Sequence, residues 1–315
     1  MPVKHSLVVP CYNEEGNVEA FFAAACAAME GYTADFELVF VNDGSADGTA
    51  RKLDALYEAH PDRRITVIHF SRNFGKEAAM YAGLEAARGE YVTLIDADLQ
   101  QRPEVAVEMG RILDEDADCD MVAAYPAKRQ ESPFLKWCKT SFYRVINRVT
   151  DVELIADASD FRTLRRRVVE ALLSLPEYHR FSKGLFAFVG FVSRAIPYEV
   201  QERLSGSTKW NFFKLLRYAL DGIMAYTDLP LRLPLYVGGG LMGLGALGLL
   251  IAWIVYLAAH AAVAPWALAA LLVLLCGVLL CFLGVQGAYI GKIHAQVKRR
   301  PVYIARRIRT RSDSD

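Results

Sequence analysis

From Leu233 to Gly291 the chain contains no Asp, Glu, Lys or Arg. Two stretches within this segment, Leu235–Ala259 and Pro265–Ile290, are each about 25 residues long. As helices rising about 1.5 Å per residue, each spans about 37 Å, the reach of a tilted membrane helix. The alternative is a helical hairpin buried in a soluble core, but two adjacent runs of this length exceed ordinary globular helices. Trp253, Tyr256, Trp266 and Tyr289 fall towards the ends of the runs, where amphipathic rings suit a membrane–water interface. The glycines from Gly238 to Gly248 allow close helix–helix approach, and with it contact between copies of the chain.

Flanking charge predicts the orientation. The connection between the runs, 260–264, carries no Lys or Arg, whereas Lys209, Lys214, Arg217 and Arg232 precede the first run and KIHAQVKRRPVYIARRIRTR follows the second. Both flanks are therefore expected on the cytoplasmic side, with the basic tail drawn to anionic headgroups. Phe212, Phe213, Leu215, Leu216, Leu220, Ile223 and Met224 can form one apolar face, as in a helix lying in the interface plane, although a core helix gives the same pattern. The expected division is a globular domain over 1–208, interfacial helices over 209–232, a two-helix transmembrane hairpin over 233–291 and a basic cytoplasmic tail over 292–315.

The excess of apolar residues, 53% of the 315, is concentrated in that hairpin. The formal net charge is zero, which gives no electrostatic reason to expect nucleic acid as a partner. Cys11, Cys26, Cys119, Cys138, Cys276 and Cys281 form no CxxC pair and no Cys/His cluster, so free thiols in a reducing compartment are expected. The opening MPVKHSLVVPCYNEE has too short an apolar stretch for a signal peptide, and the front of the chain is expected in the cytosol.

Strand-like and helix-like stretches alternate through the first hundred residues. HSLVVP, FELVFVND, RITVIHFS and YVTLIDAD read as strands, and the helical patterns EGNVEAFFAAACAAME, SADGTARKLDALYEAH and KEAAMYAGLEAARG separate them. The alternation predicts an α/β domain with a mostly parallel central sheet covered on both faces, and ligands of such sheets bind at the carboxyl ends of the strands. Polar loops stand at those ends: Pro10–Glu15, Asn42–Ser45, Ser71–Lys76 and Asp96–Gln100.

Asp96 and Asp98 follow a hydrophobic strand, where unpaired carboxylates repel each other and lose hydration. A divalent cation removes both costs. Carboxylate and amide oxygens from Asp96, Asp98 and Gln100 suit Mg²⁺ or Mn²⁺, and an ion there can neutralise a diphosphate leaving group. The competing explanation is an aspartate N-cap for a helix opening at Pro103 and Glu104. Asp43 can accept hydrogen bonds from a base or ribose, Tyr12 can stack on a ring, and Glu14 can take a ribose hydroxyl. A dinucleotide fingerprint is excluded, because no GxGxxG follows the first strand.

VVPCYNEEGNV, VNDGSADGT, SRNFGKEAAMYAGLEAARGEYV, DADLQQRPE, DASDFRTLRR and QERLSGSTKW, in this order, resemble the polyprenyl-phosphate glycosyltransferases of glycosyltransferase family 2, the bactoprenol glucosyltransferase-like and dolichol-phosphate mannosyltransferase-like enzymes. The resemblance covers essentially the whole chain and implies a GT-A nucleotide-sugar-binding fold. It implies a nucleotide pocket lined by Pro10, Tyr12, Glu14, Val41, Asp43, Asp96 and Ala97, and a metal site at Asp96, Asp98 and Gln100. Arg203 and Lys209 would face phosphate, with Arg129 a weaker candidate. The family's GDF motif stands here as Ser159-Asp160-Phe161, which implies Asp160 as the catalytic carboxylate, with Asp157 sharing or holding that role.

The activity implied is transfer of one sugar, with inversion, from a nucleotide diphosphate sugar to polyprenyl phosphate at the face of a bacterial inner membrane. UDP-glucose and an undecaprenyl carrier are the expected substrates. Asp160 would orient the sugar or stabilise positive charge on its ring, with proton removal as the alternative. Two-span members of the family also imply a homo-oligomer such as a tetramer. A processive polysaccharide synthase is disfavoured, because QERLSGSTKW stands in place of a QxxRW-type motif and only two spans follow. A non-enzymatic membrane scaffold is disfavoured by the intact DADLQ set.

Overall fold

The computed structural model describes residues 3–127, 160–175, 177–178, 180–201, 237, 240 and 265–311. The chain divides into two compact units, one of Met1–Leu215 with Arg300–Asp315 and the other of Leu216–Arg299.

The first unit opens with the expected alternation: β1 (His5–Cys11), α1 (Val18–Glu30), β2 (Phe36–Asn42), α2 (Thr49–Ala59), β3 (Ile65–Phe70), α3 (Lys76–Ala86) and β4 (Tyr91–Leu94). These four strands are mutually parallel, with β1 between β4 and β2. β2, β3 and β4 are buried along their whole length, which is why they read as continuous apolar runs rather than alternating ones. The chain continues through α4 (Pro103–Glu115), β5 (Met121–Pro126), β6 (Arg162–Arg165), α5 (Arg166–Ser174), α6 (Ser182–Phe188) and β7 (Ser193–Tyr198). The sheet has eight strands in the order β7-β5-β6-β4-β1-β2-β3-β8.

Two strands run against the rest. β6 lies antiparallel to both β4 and β5. The other is β8 (Ala305–Thr310), antiparallel to β3 at the sheet's edge. The segment expected as a separate basic tail therefore belongs in part to the sheet. Its arginines meet acidic and aromatic side chains of α2: Arg307 pairs with Asp54, Arg309 with Asp54 and Glu58, and Arg311 lies over the Tyr57 ring. Composition alone showed the positive charge but not these local partners.

A buried polar thread crosses from β1 through β4 to β6. His5 Nε2 meets Thr93 Oγ1 at 2.6 Å, and Thr93 meets Thr163 at 2.7 Å. Burial pushes the His5 imidazole down to about 3, so it stays neutral within the core.

In the second unit, α7 (Pro265–Val297) runs six residues beyond the charge-free segment. Leu268, Leu272, Leu279, Leu283, Ile290 and Ile293 are exposed along it. Among the described residues no helix is long and apolar enough to cross a membrane. All of the first expected span but Val237 and Gly240 lies outside the described residues, as do many side chains in the first half of α7. The expected interfacial helix over 209–232 also lies outside them.

Candidate active site

The carboxyl ends of β1, β2 and β3 are laced together before any ligand enters. Asn13, in the left-handed region at φ 56°, donates its backbone N–H to Ser45 Oγ and accepts the Ala46 N–H on Oδ1. The Glu14 N–H donates to Thr49 Oγ1, and Glu15 accepts the Gly48 N–H. The Asp43 carboxylate accepts the N–H groups of Phe74 at 2.6 Å and Gly75 at 3.0 Å. Burial raises the Asp43 pKa against the pull of those two bonds and of Arg72. Asp43, expected to bind a nucleoside, thus also holds the β3–α3 loop in place.

β4 ends at Leu94, so Asp96 and Asp98 sit in the loop beyond it. The loop turns at Leu99, φ 58°, and the Gln100 N–H donates to Asp98 Oδ1 at 3.1 Å. The aspartate N-cap is not formed: the N-cap of α4 is Arg102 with no side-chain cap bond, and Pro103 opens the helix. Gln101, passed over in the sequence, is 8% exposed and accepts the Asp96 N–H on Oε1 at 2.9 Å. An amide beside DADL was visible, but which of two successive glutamines turns inward depends on the loop.

Asp160 reaches the same place from another strand. Because β6 is antiparallel, its beginning lies beside the end of β4, with Leu94 opposite Arg162. Asp160, two residues earlier, joins Asp96, Gln101, Lys76 and Pro10 around one small pocket. Lys76 Nζ stands 2.6 Å from Asp96 Oδ1, 2.8 Å from Asp96 Oδ2 and 3.6 Å from Asp160 Oδ2. Burial alone would lower the pKa of Lys76, yet the carboxylates of Asp96 and Asp160 hold it above the ordinary lysine value. Burial alone would raise Asp160, yet Lys76, Lys183 and Arg162 hold it below the usual carboxylate range. Asp160 Oδ1 is buried and has no hydrogen-bond partner among the described residues.

Lys76 was not singled out beforehand, although a signal existed. It is the first residue of α3, where the helix dipole disfavours a cation. A lysine there needs an anionic partner, and here it has two.

Of the expected nucleotide-pocket residues, Pro10 lines the pocket, Tyr12 is 39% exposed and Glu14 accepts the Asn17 side-chain amide at 2.6 Å. Val41 and Ala97 are both buried. Val41 points at α3, where a Cβ on Gly83 would lie 3.4 Å from its Cγ2, and Ala97 belongs to the main core. Arg129, Asp157, Arg203 and Lys209 lie outside the described residues. Gln201, two residues before Arg203, donates its backbone N–H to the Gln100 carbonyl at 3.3 Å.

The donor set fits a hard divalent ion. Asp96, Asp98 and Gln100 offer only oxygen ligands, and the Asp96 carboxylate already holds a cation, the Lys76 ammonium. Among the described residues no three His, Cys, Asp or Glu side chains cluster as a metal site, so the remaining ligands would be substrate and water oxygens, as is usual for Mg²⁺ beside phosphates.

Comparison with known proteins identifies the family. An uncharacterized glycosyltransferase of Synechocystis sp. is 38% identical over 307 residues, covering 96% of this chain and 95% of its own. A bactoprenol glucosyl transferase of Shigella phage SfII is 37% identical over 311 residues, covering 97% and 98%. Glucosyl-3-phosphoglycerate synthase from Mycobacterium tuberculosis, crystallised with Mn²⁺, uridine diphosphate and phosphoglyceric acid, shares the fold at a TM-score of 0.52 and 17% identity, covering 70% of this chain and 76% of its own. Residues 6–173 match the glycosyl transferase family 2, and with relatives this similar over nearly its whole length the chain belongs to glycosyltransferase family 2, alongside the bactoprenol glucosyl transferases of that family.

Proposed function

We propose that this glycosyltransferase moves a single glucose from UDP-glucose to a polyprenyl phosphate, with inversion, at the cytoplasmic face of a bacterial inner membrane. One observation carries the reading: Asp96 after β4 and Asp160 before β6 converge on the Lys76 ammonium in one pocket at the carboxyl edge of the parallel strands. This is where an open α/β sheet binds ligands, and the full-length similarity to bactoprenol glucosyl transferases supports both the sugar and the lipid acceptor.

Asp96, Asp98 and Gln100 would hold Mg²⁺ or Mn²⁺, which supplies neutralising charge to the departing diphosphate. Tyr12 is exposed and would stack on the base, while Asp43 and Glu14 would present carboxylate oxygens to the nucleoside. Asp160, held ionised by its cationic neighbours, stabilises positive charge developing on the sugar ring. The acceptor phosphate is already ionised and attacks the anomeric carbon opposite the nucleotide, so it needs little help from a base. Arg203 and Lys209 balance the phosphates, and the anchoring of Gln201 on the Gln100 carbonyl supports the approach of that segment to the metal loop.

The membrane assignment rests on the charge-free sequence from Leu233 to Gly291 and on the exposed leucines of α7. The chain leaves the first unit at Leu215 and rejoins it at Arg300 to form β8. A segment whose two neighbours in the chain belong to one unit supports an even number of crossings. The glycine-rich first span supports self-association into a homo-oligomer.

Membranes containing the protein, incubated with undecaprenyl phosphate and a panel of labelled nucleotide sugars, should yield a chloroform-soluble labelled product with UDP-glucose. Asp96→Ala and Asp98→Ala should abolish it while leaving the protein folded and membrane-bound. Full transfer by either variant would remove the site assignment.

A further inference from the structure

Lys76 Nζ contacts both oxygens of Asp96 and lies 3.6 Å from Asp160. It is therefore a monovalent cation standing where the proposed divalent ion would bind. The Lys76 side chain is 44% exposed, so it has room to leave. We propose that Lys76 is an internal counter-cation which occupies the Asp96 carboxylate in the free enzyme and yields it only when a nucleotide diphosphate arrives, so that metal and nucleotide bind as a coupled pair.

The physical argument is one of competition. Two cations cannot share the same face of one carboxylate at contact distance, because their repulsion is strong in a partly desolvated site. A divalent ion binding alone must strip the ammonium from Asp96. The ammonium then stands at the positive N-terminus of α3, left with the carboxylates of Asp160 and Glu77. A diphosphate brings new negative charge to the same pocket and gives the displaced ammonium a partner. Nucleotide therefore lowers the cost of metal binding, and by linkage metal lowers the cost of nucleotide binding by the same factor. The free enzyme keeps Asp96 and Asp160 neutralised meanwhile, which avoids two adjacent unpaired carboxylates.

This rests on the reading of Asp96 as a metal ligand, and the sign of one measurement separates the two ideas. Mn²⁺ binding to the purified full-length protein can be followed by electron paramagnetic resonance with and without UDP. Lys76→Met should bind Mn²⁺ in the absence of UDP about tenfold more tightly than wild type, because the competitor is gone, and the gain in Mn²⁺ affinity on adding UDP should shrink. Lys76→Arg, which keeps the charge, should stay near wild type; Lys76→Gln serves in place of Lys76→Met if the latter does not fold. Mn²⁺ binding that weakens when Lys76 is removed would mark a merely structural lysine. Nucleotide-free affinity that is unchanged or reduced in Lys76→Met, or equally increased in Lys76→Arg, overturns the counter-cation role alone. If Asp96→Asn binds Mn²⁺ and UDP as wild type does, the metal site falls and the counter-cation role falls with it.

Discussion

Tyr303 lies nearly flat on Phe70, with ring centroids 4.9 Å apart and planes 21° from parallel. The stack joins the approach to β8 with the last residue of β3, beside the loop whose Phe74 and Gly75 N–H groups bind Asp43. The Tyr303 hydroxyl donates to Glu85 at 2.7 Å, and the Ser71 N–H donates to the Ile304 carbonyl at 2.9 Å. Tyr303→Ala should cost about 1–3 kcal/mol, combining lost aromatic area with lost ring contact. Deleting 301–315 should cost more, since it bares the fully buried β3 as a sheet edge and invites aggregation. Thermal unfolding and size-exclusion chromatography check the two outcomes.

Gly44 adopts φ +60°, and a Cβ there would stand 2.3 Å from the Arg72 carbonyl carbon and 2.5 Å from the Asn73 nitrogen. Both obstacles are backbone, so no side-chain rotation relieves them. Gly44→Ala must push the β2–α2 and β3–α3 loops apart, with Asp43 between them. A loss of about 1–3 kcal/mol is expected, together with weaker UDP binding. Calorimetric titration with UDP would show whether the loops act as a unit; unchanged affinity would mean they do not.

The first four strands and three helices were legible because each strand is buried on both faces and each helix follows a polar loop, so periodicity and punctuation agree. β8 was not legible: ARRIRT, with three arginines in six residues, read as part of a basic tail drawn to anionic headgroups, and the fold instead brings Arg307 and Arg309 to Asp54, Glu58 and Tyr57 of α2. The convergence of Asp96 and Asp160 was legible only through motif resemblance, because 64 positions separate them and the antiparallel direction of β6 brings them together. Alternation along a strand tells which residues share a face, but the missing side chain of Gly83 is what lets α3 close over Val8.

Gly83 yields a further test. A Cβ there would lie 2.1 Å from Val8 Cγ1, and Val8 is fully buried in β1. Alanine is the better helix former by about 1 kcal/mol, so propensity alone predicts stabilisation. The overlap with a packed β-branched side chain should outweigh it, at about 1–3 kcal/mol for overpacking. Gly83→Ala should therefore melt earlier than wild type, and Gly83→Ala with Val8→Ala should recover part of the loss. Additive losses in a double-mutant cycle would show that the two positions do not press on each other.

Glu77 gives the pH test. It follows Lys76 on α3 and accepts the Ser182 N–H at 3.0 Å and the Ser182 hydroxyl, tying α6 to α3. Burial, then the nearby Asp160 charge, push its carboxyl up from 4.5 to about 7 against the pull of Ser182 and Lys76. Between these values the folded protein holds a proton that the unfolded chain has released. The contribution of Glu77 is therefore fully present below about 4.5 and is lost as pH rises towards about 7. Glu77→Gln keeps an oxygen for Ser182 but cannot ionise. In metal-free protein, the stability of wild type relative to Glu77→Gln should fall steadily from pH 4.5 to 7.5 and then level off. Denaturant midpoints at half-unit pH steps would reveal this slope; a constant difference between the two proteins across the window would mean that Glu77 ionises as freely in the fold as outside it.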